Sequence, residues 1–443
     1  GVTRTIDYYE PQKYNQLEAK YAHTFKQAGK KWTVDFQYDF WNDDENALIQ
    51  NAIAGAGALG QTELRTRDIE SSDDFLLQSD LVMPVGEEGR FELGFRAETR
   101  VISSKYIAEE MVSESWEVYN GLDNDIDYSE RIGGLYAQYG NTLGKFNFLM
   151  GLRTEYTEIA IDDVKDLFST EKKYLRLFPT AHLNYEFSKT TKLQLSYSRR
   201  IRRPGFWQLN PFGGIGDNNS IFAGNPDLDP AFTHGFELGA VKNFKKLSLN
   251  PSLYFQQTSN FFQAYVQQTE AGGFFTMPIN LDIENRFGAE FLANYRMTKW
   301  LQLSGEFNYY QFQQNGSFDG QSFDFSNNAW TAEFGTRMRL PKSFTFQGSF
   351  QYQGRSQNAQ TLTRAIYVAN LGLSKRLLKD KASLSLNVRN LLDSQKQVRL
   401  TTGEGFSTEM MQKRIGRRFR LTFSYQFNRQ QNERDRQPGR SNR

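Results

Sequence analysis

Hydrophobic and polar positions alternate with a period of two along most of this chain. Trp32, Val34, Phe36, Tyr38 and Phe40 alternate with Lys31, Thr33, Asp35, Gln37 and Asp39, which puts the two sets on opposite faces of an extended strand. The last such segment sets Phe419, Leu421, Phe423, Tyr425 and Phe427 against Arg420, Thr422, Ser424 and Gln426. Near the middle, Leu193, Leu195, Tyr197 and Ile201 oppose Lys192, Gln194, Ser196, Ser198, Arg200 and Arg202. That strand breaks at Pro204 into GFWQLNPFGGIGDNNSIFAGNPDLDPAF, a loop punctuated by Pro, Gly and Asn, before another alternating strand opens at Phe232.

The unit of strand, turn, strand, long loop recurs. Segments 14–25 and 31–40 flank QAGK, 75–84 and 90–106 flank GEEG, 132–139 and 145–158 flank NTLG, and 175–187 and 192–201 flank SKTT. Further pairs surround NFKK, MTKW, PKS and LLKDK. Short polar turns on one side and long Asn-, Asp-, Gly- and aromatic-rich loops on the other predict an all-β, transmembrane antiparallel barrel with short periplasmic turns and longer extracellular loops. The barrel is expected over 1–427, with 428–443, which has no apolar face, as a disordered periplasmic tail.

About seventeen strands can be counted, whereas single-chain bacterial barrels have even numbers. The expectation is a parent barrel of about 22 strands, with about five strands and any N-terminal plug outside this sequence. Pro179 and Pro251 fall inside predicted strands and should each mark a bulge or a missing ladder bond. The stretch ALIQNAIAGAGALG at 47–60 reads as a short helix or as nothing regular.

Composition narrows the class. Aromatic residues make up 15% of the 443, yet hydrophobic residues reach only 38% and mean hydropathy is -0.65, as suits strands with one apolar and one wet face. A formal net charge of +2 offers no field for nucleic acid, so no nucleic-acid partner is expected. Cysteine is absent, which removes disulfides, thiolate metal sites and a Cys nucleophile. No apolar run reaches the roughly 20 residues of a membrane-spanning helix.

The residues SRRIRRPGFWQLNPF at 198–212, followed by GNPDLDP at 224–230, resemble the barrel signature of TonB-dependent receptors of the outer membrane β-barrel family, Bacteroidetes type. FPTAHLNYEFSKTTKLQLSYS upstream, THGFELG at 233–239 and VRNLLD at 388–393 extend the resemblance. Ala231 stands where most relatives carry an acidic residue. The resemblance implies a Gram-negative outer-membrane receptor that captures a ligand with extracellular loops and imports it to the periplasm. It also implies contact with outer-membrane lipid and lipopolysaccharide, and energy coupling to the TonB complex through an N-terminal segment absent from this sequence. A rival reading is a structural or secretion-associated barrel that docks surface lipoproteins and transports nothing.

Candidate ligand-binding residues concentrate in the motif loop: Arg200, Arg202, Arg203, Trp207, Asn210, Phe212, Asp217, Asn225 and Asp227. Guanidinium forks suit carboxylate or phosphate, although arginines that tie the loop down through Asp217, Asp227 or Asp229 are the favoured alternative. Trp207, Phe212, Phe222, Phe261, Phe262, Phe274 and Phe275 offer stacking faces or interfacial girdle. Acids at 43–45, at 123, 125 and 127, and at 162, 163 and 166 read as solvated loop residues, and no metal or cofactor site is expected. His23, His182 and His234 are too scattered for a ligand set; parity puts His182 in the lumen and the other two outside. No nucleophile elbow, phosphate loop or His-Glu helix motif occurs, so no enzyme activity is expected.

Overall fold

The computed structural model of the chain describes residues 2–53, 61–165, 168–212, 214–215, 220–269, 273–413 and 415–427. Most of them form one antiparallel meander, with a two-stranded and a four-stranded sheet beside it. Its long strands run Gln12–Thr24, Lys31–Ile53, Gln61–Val85, Gly89–Val112, Ser115–Leu143, Phe146–Asp163, Ser169–Ser188, Thr191–Arg202, Ala231–Asn243, Leu247–Gln268, Phe274–Tyr295, Leu301–Asn315, Phe325–Leu340, Phe344–Gln353, Ile366–Leu377, Ala382–Arg389 and Arg418–Tyr425. Each pairs with the next in chain order. Val2–Tyr9 continues the first edge, pairing with 46–53 of the same strand that Gln12–Thr24 meets lower down. Among the described residues no pairing joins Arg418–Tyr425 to Gln12–Thr24, so the sheet has two free edges.

The predicted alternation sets the faces. Leu193 and Leu195, Phe236 and Leu238, Leu253 and Phe255, and Phe419, Leu421 and Phe423 all stay exposed on the outer side. Water-exposed apolar area on this scale is unfavourable, whereas hydrocarbon around the sheet removes the penalty. Outward positions remain apolar from Trp32 to Phe40 and, apart from Ser79, which accepts from the Trp32 indole, from Val85 to Phe75, and turn polar above them at Asn42, Asp44, Asp73 and Ser71. About ten residues cross a bilayer in a tilted strand. The 23-, 25-, 24- and 29-residue strands Lys31–Ile53, Gln61–Val85, Gly89–Val112 and Ser115–Leu143 therefore stand well above it.

These tall hairpins correct two expectations. Residues 47–53 are strand, paired on both sides through Ala52, and 54–60 lie outside the described residues. The acids at 43–45, at 123, 125 and 127, and at 162 and 163 are in strands and not in loops, while Asp166 lies outside the described residues. The apolar alternation ends where the membrane ends, but the ladder does not.

Both prolines interrupt a ladder, as their missing N–H requires. Pairing of Ser169–Ser188 with Thr191–Arg202 stops at Thr180, next to Pro179, and the Arg199 guanidinium instead donates to the Leu177 carbonyl at 3.2 Å. Beside Pro251, the register with Ala231–Asn243 skips from Gly239 and Ser252 to Lys242 and Leu249. On the short-turn side, Gly29 takes φ +82°, a region L side chains rarely enter. The 428–443 segment lies outside the described residues.

Candidate functional site

The loop between Arg202 and Ala231 folds inward and lies against the barrel wall. One turn of helix, Phe206–Leu209, buries Phe206 and Leu209. These join Leu228, Ala231 and Phe262 against Ile102, Ile126, Tyr128, Ile159 and Ile161, which line the inner face of three neighbouring strands. Apolar side chains here face the lumen, opposite to the parity of a wet interior, because the loop covers them.

Polar groups in the loop close on themselves and on the wall. Asn210, 2% exposed, accepts from the Phe212 N–H at 3.0 Å through its side chain and from the Gly224 N–H at 2.6 Å through its carbonyl. Asn225 donates to the Pro278 carbonyl at 3.1 Å and accepts from the Asp227 N–H at 3.0 Å, which turns the chain after Pro226. Asn280, on the adjacent strand, accepts from the Asp229 N–H at 2.7 Å and donates to the Asp229 carbonyl at 3.0 Å. The Ile215 N–H reaches the Tyr106 hydroxyl at 3.2 Å on the far side. The loop thus spans from Gly89–Val112 to Phe274–Tyr295, where 220–222 adds in parallel to 274–276.

Gly224 is where the GNPDLDP turn meets the helix. A Cβ there would lie 2.5 Å from the Asn210 carbonyl oxygen and 2.7 Å from its nitrogen. Backbone cannot retreat from such a contact as a side chain can. Gly224→Ala should therefore cost about 2 kcal/mol and loosen the loop, seen as faster chymotrypsin cleavage within the loop with the barrel intact.

The three arginines part company. Arg203 is largely buried and donates to Glu155 Oε2 at 2.6 Å and to Thr157 Oγ1 at 3.0 Å, both on Phe146–Asp163. It is a loop tie, as the favoured alternative held, but its partners differ from those expected. Asp229 pairs with Lys172 at 3.0 Å, the Asp227 side chain is exposed, and Asp217 lies outside the described residues. Arg202 is exposed and sits over the Phe262 ring at 4.9 Å.

Arg200 faces the lumen, as parity requires. It lines a recess of about 640 Å³ with Arg96, Tyr136, Arg153, Glu155 and His182. Arg96 is held by Glu98 and Gln78, and Arg153 by Glu155 at 3.0 Å. His234 is outside, stacked on Tyr197 with 3.0 Å between the hydroxyl and Nδ1.

The aromatics also divide. Trp207 and Phe222 are 56% and 59% exposed, while Phe212 packs on the loop core and meets Phe168 edge-on at 6.3 Å. Phe261 packs on a second buried cluster, Tyr265, Ile279, Leu281 and Phe323. Phe274 meets Phe406 of a small extracellular sheet at 5.3 Å. Available for contact with a solute at the mouth are Arg200, Arg202, Trp207 and Phe222. Arg203, Asn210, Phe212 and Asn225 build the loop.

Residues 23–425 match the outer membrane protein beta-barrel family. The chain belongs to that family. An antiparallel meander with an apolar outer face and an inward-folded loop is its architecture here, and the outer membrane is its location. A search of curated proteins finds no match. Among solved structures, the copper transporter OprC is similar with a TM-score of 0.60 at 12% identity, covering 93% of this chain and 74% of that one. The ferric-catecholate import receptor Fiu from E. coli K12 is similar with a TM-score of 0.65 at 14% identity, over 94% of this chain and 64% of that one. The siderophore receptor PiuA from Acinetobacter baumannii gives a TM-score of 0.65 at 15% identity over the same shares. The chain thus spans less than two thirds of the length of these last two receptors.

Proposed function

We propose that this family member is the barrel portion of an outer-membrane transporter of the TonB-dependent type. Its extracellular mouth captures a solute, and energy supplied from the periplasm drives release inward. The observation that carries the reading is the motif loop, which folds across the lumen, is held there by Arg203 and Asn225, and leaves Arg200 on the lumenal recess and Arg202 over the Phe262 ring, neither with an acid partner among the described residues. Guanidinium groups without a carboxylate partner suit an anionic or oxygen-rich solute. The copper and siderophore cargo of the structural neighbours supports a chelate as that solute. The chain supplies binding and a path, with no bond chemistry, and its nutrient-uptake role would depend on coupling to the periplasmic energiser.

The test uses the full-length protein in cells offered labelled iron chelates, vitamin B12, oligosaccharides and peptides. Uptake of at least one should require the energiser complex. Uptake that persists without it sinks energised import, and no uptake of any of them favours a barrel that docks surface lipoproteins. Replacing Arg200 and Arg202 together with Ala should weaken capture about tenfold or more while leaving chymotrypsin sensitivity of the loop unchanged, because neither arginine ties it.

A further inference from the structure

Above the membrane band, the lumenal face carries a two-by-two grid of carboxyl groups. Asp43 lies directly across from Glu70, and Glu45 across from Asp68. Their parity is that of Ala47, Ile49, Leu64 and Thr66, all buried on the inner side. On such a face cross-strand neighbours are about 5 Å apart and same-strand neighbours about 7 Å. Glu10 closes one corner: the Gln12 amide donates both to it and, at 3.4 Å, to Asp43.

The next strand adds Ser104 opposite Glu70 and Tyr106 opposite Asp68. Asp43 and Glu70 are each 8% exposed and Ser104 is 1% exposed. Among the described residues, Asp43 Oδ1, Asp68 Oδ1 and the Ser104 hydroxyl have no hydrogen-bond partner. Buried polar atoms are normally satisfied. The nearby cations are engaged elsewhere: Arg65 with Glu109 at 2.5 Å, Arg67 with Asp44 at 3.0 Å, Arg100 with Asp74 at 2.6 Å and Lys105 with Asp125 at 3.5 Å.

We propose that this grid is a binding site for an organic cation bearing amino or guanidinium groups. Several N–H donors on one extended molecule can serve carboxyl groups spread over two strands, and the Ser104 hydroxyl can accept from the same donor. Among the described residues no three His, Cys, Asp or Glu side chains converge closely enough to hold a metal ion, which favours an extended cation over a point charge. The half-buried Glu45 and Asp68 form the open side of the grid and Asp43 and Glu70 its floor.

Binding should be linked to protons. Burial, with added repulsion from neighbouring acids, pushes Asp68 and Glu70 up to about 7 and also raises Glu45. The cation-free protein holds these protons, so their contribution to its stability is full below the ordinary carboxylate range and is lost as pH rises through about 7. A cation needs the ionised form and so binds better above that pH. The site depends on the barrel wall alone; a chain that transports nothing would still have it.

The experiment is calorimetric titration of the full-length protein in lipid nanodiscs with spermidine. Saturable binding is expected at pH 8, about tenfold weaker at pH 6, and abolished in D43N/E70Q. The variant should still fold, with a spermidine-free melting temperature at pH 8 no lower than that of the unaltered protein, because two uncompensated buried acids are gone. Equal affinity in the variant, or no pH dependence, overturns the proposal. Displacement of spermidine by an equimolar amount of calcium also overturns it, since that identifies a metal site.

Discussion

Arg203→Ala should cost about 2 kcal/mol, because it strips one oxygen of the largely buried Glu155 of its donor and leaves the acid only the more exposed Arg153 on the other. The two side chains are only 18% and 11% exposed and meet at 2.6 Å. Removing the guanidinium also frees Thr157, which is fully buried and accepts from the same nitrogen at 3.0 Å. The loss should appear as a lower unfolding midpoint of the purified barrel and as cleavage within 203–230 under conditions where the parent resists. Adding Glu155→Gln should recover part of the loss, since the amide needs no counter-charge. A double variant as unstable as the single would mean that Arg203 acts by filling space and not by pairing.

Arg203 also shows how far the sequence could be read. Its place at a strand end and its role as a tie follow from the alternation and the Pro204 break, but parity would put it outside with Ile201, and it reaches the inner wall only because the strand ends at Arg202. Its partner does not follow, because Glu155 is 48 residues away and no local pattern brings the two together. The same holds for Asn225, whose amide reaches Pro278, and for the inward fold of the loop, where Phe206, Leu209 and Leu228 reveal a core only against Ile126 and Ile161. The acids of the tall strands escape local pattern for a different reason. Above Phe40 and Phe75 there is no hydrocarbon to demand an apolar outer face, so the alternation that marks a strand disappears while its hydrogen bonds continue. Asp43, Asp68 and Glu70 therefore resemble solvated loop acids in sequence, yet occupy the inner wall. The signal available was indirect: Leu64, Thr66, Ser72, Ile102 and Ser104 continue an inward set of small or apolar residues past the last outward aromatic.

The outer face makes the second strong prediction. Leu195 lies mid-strand, flanked by Leu183 and Leu238, with Leu253 one strand further on. Leu195, Leu238 and Leu253 are 49%, 44% and 49% exposed, an apolar belt with no protein cover. In the outer membrane this belt meets acyl chains at mid-depth, where an arginine costs about 2–4 kcal/mol in a barrel wall. Leu195→Arg should lower stability in lipid vesicles by that amount, whereas Gln194→Arg, one residue along but on the lumenal face beside Asn184 and Gly239, should cost well under half as much because water fills that side. The comparison is made by equilibrium unfolding in urea of the full-length protein refolded into vesicles, with Leu81→Arg, nearer the short-turn rim beside Trp32 and Leu93, expected to fall between the two. Depth and parity, not the introduced charge itself, set the order, since the same guanidinium is added at all three positions. If the lumenal and lipid-facing substitutions cost the same, the outer face is not in contact with hydrocarbon, and the apolar belt must instead be covered by protein.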